Sequence, residues 1–208
     1  MTANSFSKPE HPHFKEDNVR GFAPKSEKFL PEWFGQKFSI SLMKLLELKG
    51  LHLALESHEH QVKHRPELES KFTDIMCFEI IHEEQKMGYL YLDINMIALL
   101  LHKVLGGSDR VEPSRPSLPL RKLEAKGLES AFGVFNLSLR EGLKRSFPLR
   151  EIDFIKLKGP IDEFQFINHL EGSSQYFLED FIMKEKSNGI EGKIAVLLDY
   201  KIFDSFGK

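Results

Sequence analysis

The sequence has one cysteine, no excess of positive charge and no long apolar run. A lone thiol cannot form an internal disulfide, so Cys77, within the apolar stretch TDIMCFEII, is predicted to be a buried small hydrophobe. The 29 Lys and Arg are offset by 31 Asp and Glu, which leaves no basic field for nucleic acid or an anionic membrane. No run approaches the roughly 18 apolar residues of a membrane span, and no secretory signal opens the chain. We therefore expect a cytoplasmic protein without nucleic-acid partners or membrane insertion.

Motifs that carry chemistry are also missing. The sequence contains no GxxxxGK[ST] phosphate loop, no GxSxG elbow, no HExxH and no CxxC. His58, His60 and His64 form an HxHxxxH pattern whose imidazoles could bind zinc. Their setting, a polar run interpreted as a connector from His58 to Ser70, instead favours a solvated loop. We predict no catalytic residue, no cofactor and no metal.

The order of elements indicates one domain built as a repeat. Residues 1–26 are polar and rich in proline, which predicts a flexible tail before a domain over 27–208. A helix from near residue 29 to before Gly50, a strand from Leu51 and a hairpin make the first half. A long helix, a strand and a hairpin turning at Asn188-Gly189 make the second. We predict a pseudo-twofold α/β domain in which two long helices pack on a largely antiparallel sheet.

A third helix joins the halves and ends in HKVLGGSDR. Asp93 or Asn95 is expected to cap its start. One glycine after Leu105 is enough to end a helix, so Gly106 accounts for the cap but leaves Gly107 unexplained. A second glycine suggests a tight loop whose backbone a partner can approach closely. The candidate partner-binding residues are Leu105, Gly106, Gly107, Ser108, Asp109 and Arg110.

Two stretches, GYLYLDINMIALLLHKVLGGSD and PLRKLEAKGLESAFGVFNLSLREGL, resemble the middle domain of the flagellar motor switch protein FliM. The resemblance covers about residues 27–206 and implies the three-layer α/β/α fold of the CheC superfamily. It also implies a non-enzymatic scaffold that binds a FliG-like partner through a GGxG-type loop and packs against neighbouring FliM-like subunits. Such a protein would lie in the cytoplasmic ring, peripheral to the inner membrane at the flagellar basal body, and would contribute to motility and rotational switching.

The sequence also departs from that family. Asp109 occupies the position of the last loop glycine, and no counterpart is found of the N-terminal segment that captures phosphorylated CheY or of the C-terminal SpoA-type domain. A CheC-type phosphatase needs a Glu-x-x-Asn pair, but Glu124, Glu129 and Glu141 have no asparagine three residues on. Phosphatase activity is thus the disfavoured alternative. A component of a type III secretion sorting platform remains open as a third interpretation.

Overall fold

The structure, a computed structural model, describes residues 29–64, 75–108, 113, 114, 116, 120, 122–146, 155–161, 170 and 175–201. Three helices and six strands occur in these ranges. In chain order they are α1 (Phe29–Glu47), β1 (Leu53–His64), β2 (Ile75–His82), β3 (Gln85–Asp93), α2 (Ile94–Val104), α3 (Lys122–Ser146), β4 (Ile155–Ile161), β5 (Gln175–Glu185) and β6 (Glu191–Asp199).

The strands form one six-stranded antiparallel sheet in the order β1-β5-β6-β3-β2-β4. The counterparts of β1, β2 and β3 in the second half are β4, β5 and β6. When each strand is exchanged with its counterpart, the result is the same order read from the other edge of the sheet. The predicted pseudo-twofold α/β fold is therefore confirmed. Each half also gives its first strand to the other, since β1 pairs with β5 and β4 pairs with β2.

The main core lies between the helices and one face of the sheet. From α1 it receives Phe34, Phe38, Leu42 and Leu46, the spacing predicted from the sequence, and α2 and α3 add their apolar sides. The opposite face carries a smaller cluster that includes Cys77, Tyr89 and Tyr91, and Leu170 is buried against it. The rest of the layer predicted for that face lies outside the described residues.

Strand β1 is longer than predicted. It continues through the polar run to His64, so the interpretation of residues 58–64 as part of a connector is wrong. The alternation of hydrophobic residues ends at Leu55 because a bulge interrupts the register between Leu55 and Ser57. A bulge inserts one residue, so His58 and His60 now take the helix-facing side that Leu53 and Leu55 occupy before it.

The predicted tail, residues 1–26, and most of the linker from Ser108 to Pro119 lie outside the described ranges. None of the described helices is both long and apolar enough to cross a membrane.

We expect Cys77 to be unreactive in the native protein. Its side chain is fully buried, and burial raises the pKa of the thiol well above its usual value, so little thiolate exists at pH 8. Reaction with Ellman's reagent at pH 8 should be at least about 100-fold slower in the native protein than in urea. Rapid stoichiometric labelling without denaturant would contradict the burial of Cys77.

Candidate docking loop

Helix α2 starts directly at the end of the central strand β3. Of the two predicted cap candidates, Asp93 and Asn95, it is Asp93 that caps the helix: it has extended backbone, and its carboxylate accepts a hydrogen bond from the Met96 amide at 2.7 Å. The residues from Met96 to Leu101 are all buried. This helix therefore leaves the sheet from a fixed point, and its other end presents the double-glycine loop.

The loop is a Schellman cap, the compact C-terminal motif in which two amides bond back to helix carbonyls. The Gly107 amide donates to the His102 carbonyl at 2.6 Å, and the Gly106 amide donates to the Lys103 carbonyl at 3.1 Å. Gly106 has φ +81°, the left-handed conformation that side chains disfavour. The first glycine is thus the helix terminator that the sequence predicts.

The presence of glycine at position 107 has a different physical cause. Gly107 is outside the left-handed region, but a Cβ added to it would lie 2.3 to 2.5 Å from Cε1, Nδ1 and Cγ of His102. Real Cβ atoms do not approach other atoms so closely. The imidazole therefore occupies the space that a side chain at position 107 would need. His102 Nε2 also lies 2.9 Å from the Ser108 carbonyl oxygen, to which it donates a hydrogen bond.

An exposed apolar surface accompanies the loop. Leu105 is 56% exposed, and Val104 and Leu123 are further exposed large hydrophobic residues of α2 and α3. Beside Leu105 opens a cavity of about 270 Å³. Its lining residues are Ala98, Leu101, His102, Leu105, Gly106, Gly107, Ser114, Pro116 and Glu124. An apolar side chain next to a depression with accessible backbone is suited to contact another protein.

The end of α2 is also tied to the sheet by charge. Lys103 lies 3.8 Å from the carboxylate of Glu185, which is buried at the end of β5. The same carboxylate accepts hydrogen bonds from the Ser187 hydroxyl at 2.8 Å and the Lys186 amide at 3.0 Å. These contacts connect the β5–β6 turn to the helix that carries the loop. Sequence reasoning missed them because positions 103 and 185 are brought together only by the tertiary fold.

The structure places His58 and His60 on a buried carboxylate. His58 Nε2 lies 2.5 Å from Glu179 Oε2, and His60 Nδ1 lies 2.5 Å from Glu179 Oε1. The side chain of Glu179 is 1% exposed. The rings stack on Phe181 and Phe177. For His64 only the backbone is described.

The short nitrogen–oxygen distances show that the imidazoles hydrogen-bond to the carboxylate directly. Two ligands of one tetrahedral zinc would be about 3.3 Å apart, given zinc–ligand bonds of about 2.0 to 2.2 Å. Among the described residues, no group of three histidine, cysteine or acidic side chains has a geometry that could hold a metal ion. The two imidazoles instead provide the hydrogen bonds that an acid buried in the core requires.

Helix α1 approaches this cluster at a glycine. A Cβ on Gly35 would lie 2.3 Å from Glu179 Oε2 and 2.4 Å from His58 Nε2. Sequence reasoning did not identify Glu179, but a signal is present in FLEDF. Because side chains alternate along a strand, Phe177 and Phe181 in the core imply that Glu179 points the same way and needs polar partners.

Asn136 and the three acids considered for phosphatase chemistry all lie on α3, and Asn136 has a structural role there. The Asn136 side-chain oxygen accepts a hydrogen bond from the Leu157 amide at 2.9 Å, and Arg140 donates to the Ile155 carbonyl. Both side chains therefore hold edge strand β4 against α3. Glu129 and Glu141 are exposed on α3, and Glu124 lines the cavity at the loop.

No known family model matches the sequence, and no curated protein matches it. Solved structures do match. A FliM in a FliM–SpeE complex from H. pylori has 12% identity and a TM-score of 0.65, with 88% of this chain and 96% of that chain covered. The FliM middle domain from Vibrio alginolyticus, residues 51–229, has 10% identity and a TM-score of 0.61, with coverage of 85% and 96%.

This chain has the fold of the FliM middle domain. A structure of a FliG–FliM complex from H. pylori also matches, with 12% identity, a TM-score of 0.60 and coverage of 88% of this chain and 100% of that chain. The FliM-like fold expected from the sequence is thereby confirmed. Of the six candidate docking residues, Leu105 to Ser108 come together on one loop, while Asp109 and Arg110 lie outside the described residues.

We expect Glu179→Ala to destabilise this FliM-like domain by about 3 kcal/mol. The substitution removes a buried acid and leaves two half-buried histidines without its oxygens. Urea unfolding followed by circular dichroism measures the change. Glu191→Ala is the matched control, because Glu191 is exposed and its pairing with Lys184 at 3.4 Å contributes little. Equal stability of the two variants would contradict the structural role of Glu179.

Proposed function

We propose that this protein is a non-enzymatic adaptor of a flagellar motor switch. It binds a FliG-like partner through the loop Leu105–Arg110 and packs against neighbouring FliM-like subunits in a cytoplasmic ring at the basal body. Through these contacts it contributes to motility and to rotational switching.

The observation that carries the proposal is the exposed Leu105 beside two glycines. Leu105 offers an apolar anchor, and Gly106 and Gly107 have no side chains that would keep a partner away from the backbone. The adjoining cavity, with a volume of about 270 Å³, can accept a side chain from the partner. A FliM of the same fold was solved together with FliG, which supports FliG as the class of partner.

Exposed apolar residues on the long helices support contacts with neighbouring subunits. Trp33 and Ile40 on α1 and Leu137 on α3 are each about half exposed, although both helices bury their opposite sides in the core. Large apolar side chains on the outside of core helices are suited to side-by-side packing.

Leu105→Glu should weaken binding to a FliG middle domain by at least about tenfold, because it places a charge at the centre of an apolar contact. Isothermal titration calorimetry with the purified domains measures the affinity. Thermal unfolding should be nearly unchanged, since residue 105 is exposed.

Ile40→Glu is the control, because it makes the same kind of change on α1, where Ile40 is 50% exposed. It should leave FliG binding intact and disturb only self-association. A folded wild-type protein that does not bind the FliG domain would refute the proposed partner. Equal binding by wild type and Leu105→Glu would refute the loop as the contact.

A further inference from the structure

We propose that His102 is the positioning residue of the docking loop: its ring and its backbone fix the conformation in which Leu105 and the two glycines meet a partner. The inference rests on the proposed function for its biological meaning, but the conformational part concerns the protein alone.

His102 holds the loop at two points. Its carbonyl accepts the hydrogen bond from the Gly107 amide at 2.6 Å, which closes the helix cap. Its side chain reaches Ser108, where Nε2 donates a hydrogen bond to the carbonyl oxygen at 2.9 Å. Because a carbonyl only accepts, the tautomer or protonation state with a hydrogen on Nε2 is required. One residue thus bonds the backbone at both Gly107 and Ser108.

The ring also gives a reason for glycine at position 107. A Cβ there would lie within 2.5 Å of three imidazole atoms, whereas a Cβ at Gly106 would meet nothing within 4 Å. The need for glycine at 106 comes from its φ of +81° and does not involve the His102 ring. The two adjacent glycines therefore have independent causes, and substitution can separate them.

The same imidazole shapes the surface that a partner would meet. His102 lines the cavity together with Leu105, both glycines and Glu124. Since His102 is only half-buried, its loss would alter this surface without opening the main core. Removing the ring would remove its hydrogen bond to the Ser108 carbonyl and loosen the loop at Gly107 and Ser108, so binding would have to order it.

A pair of double-mutant cycles tests the proposal. Gly107→Ala should weaken binding of the FliG middle domain by about tenfold in the wild-type background, because the methyl group displaces the ring. In a His102→Ala background the same substitution should have little further effect, since the space is empty. Gly106→Ala is the matched control, and its effect should be the same in both backgrounds. Calorimetry gives the affinities, and thermal unfolding of the free variants gives the coupling without partner.

Two further variants separate the ring's bulk from its hydrogen bond. His102→Phe keeps a ring against Gly107 but cannot donate to the Ser108 carbonyl, so it should bind FliG more weakly. His102→Gln keeps a donor on a flexible chain and should recover part of the affinity lost in His102→Ala. Recovery with the glutamine at unchanged unfolding temperature supports positioning of the loop and not a general role in stability.

The outcomes distinguish this inference from the proposed function. If the wild type binds FliG and the Gly107→Ala effect is equal in both backgrounds, the role of His102 is refuted while the docking function stands. If the folded wild type does not bind FliG, the proposed partner is refuted. Thermal unfolding of the free variants then tests the proposed conformational role of His102. Coupling between substitutions at 102 and 107, with none between 102 and 106, supports that role. Additive effects in both pairs overturn it.

Discussion

The exchange of edge strands between the two halves is the constraint on which the rest of the structure depends. Strand β1 completes the sheet beside β5, and β4 completes it beside β2, so neither half can form its complete sheet without the other. The two return strands, β3 and β6, meet in the middle. Helix α2 follows β3 without an intervening loop, and the double-glycine loop therefore lies at the end of a helix that starts from one of the two central strands.

Pairing along the whole length of β1 has a chemical consequence. The bulge after Leu55 turns His58 and His60 toward the helices, opposite the residue pair Glu179 and Phe181 of β5. An acid in this position needs partners, because burying a charge without hydrogen bonds is expensive. The two imidazoles supply them, and Gly35 lets α1 lie close over the group. A histidine pattern that resembles a metal site thus serves the packing of α1 on the sheet.

Local patterns in the sequence predicted the parts of the fold that depend on local physics. The helical spacing of Phe34, Phe38 and Leu42, the cap at Asp93 and the terminator at Gly106 all follow from contacts within a few residues. The order of elements was enough for the pseudo-twofold sheet, since alternation and turn residues mark strands whatever their partners are.

Features that depend on distant residues could not be predicted. Beyond the bulge, β1 reads as a polar run, and only pairing with β5 makes it a strand. Glu185 looks like a surface charge until the fold buries it, and the histidines that partner Glu179 reach it only through the pairing of β1 with β5. At the loop, the sequence located both glycines but could explain only the first, because the reason for Gly107 is the rotamer of a side chain five residues earlier. Such contacts are set by tertiary packing, which periodicity does not record.

In the proposed docking, a loop conformation that is already fixed lowers the free-energy cost of binding. Association must offset the entropy lost when flexible segments become ordered, at roughly 0.5 to 1.5 kcal/mol for each immobilised side chain. Here the backbone before and after Leu105 is already held by the cap, by the His102 ring and by the Lys103–Glu185 pair to the sheet. A partner that covers Leu105 gains the burial of its apolar surface without first having to order the residues around it. A small contact on a fixed loop can therefore bind more strongly than its area suggests.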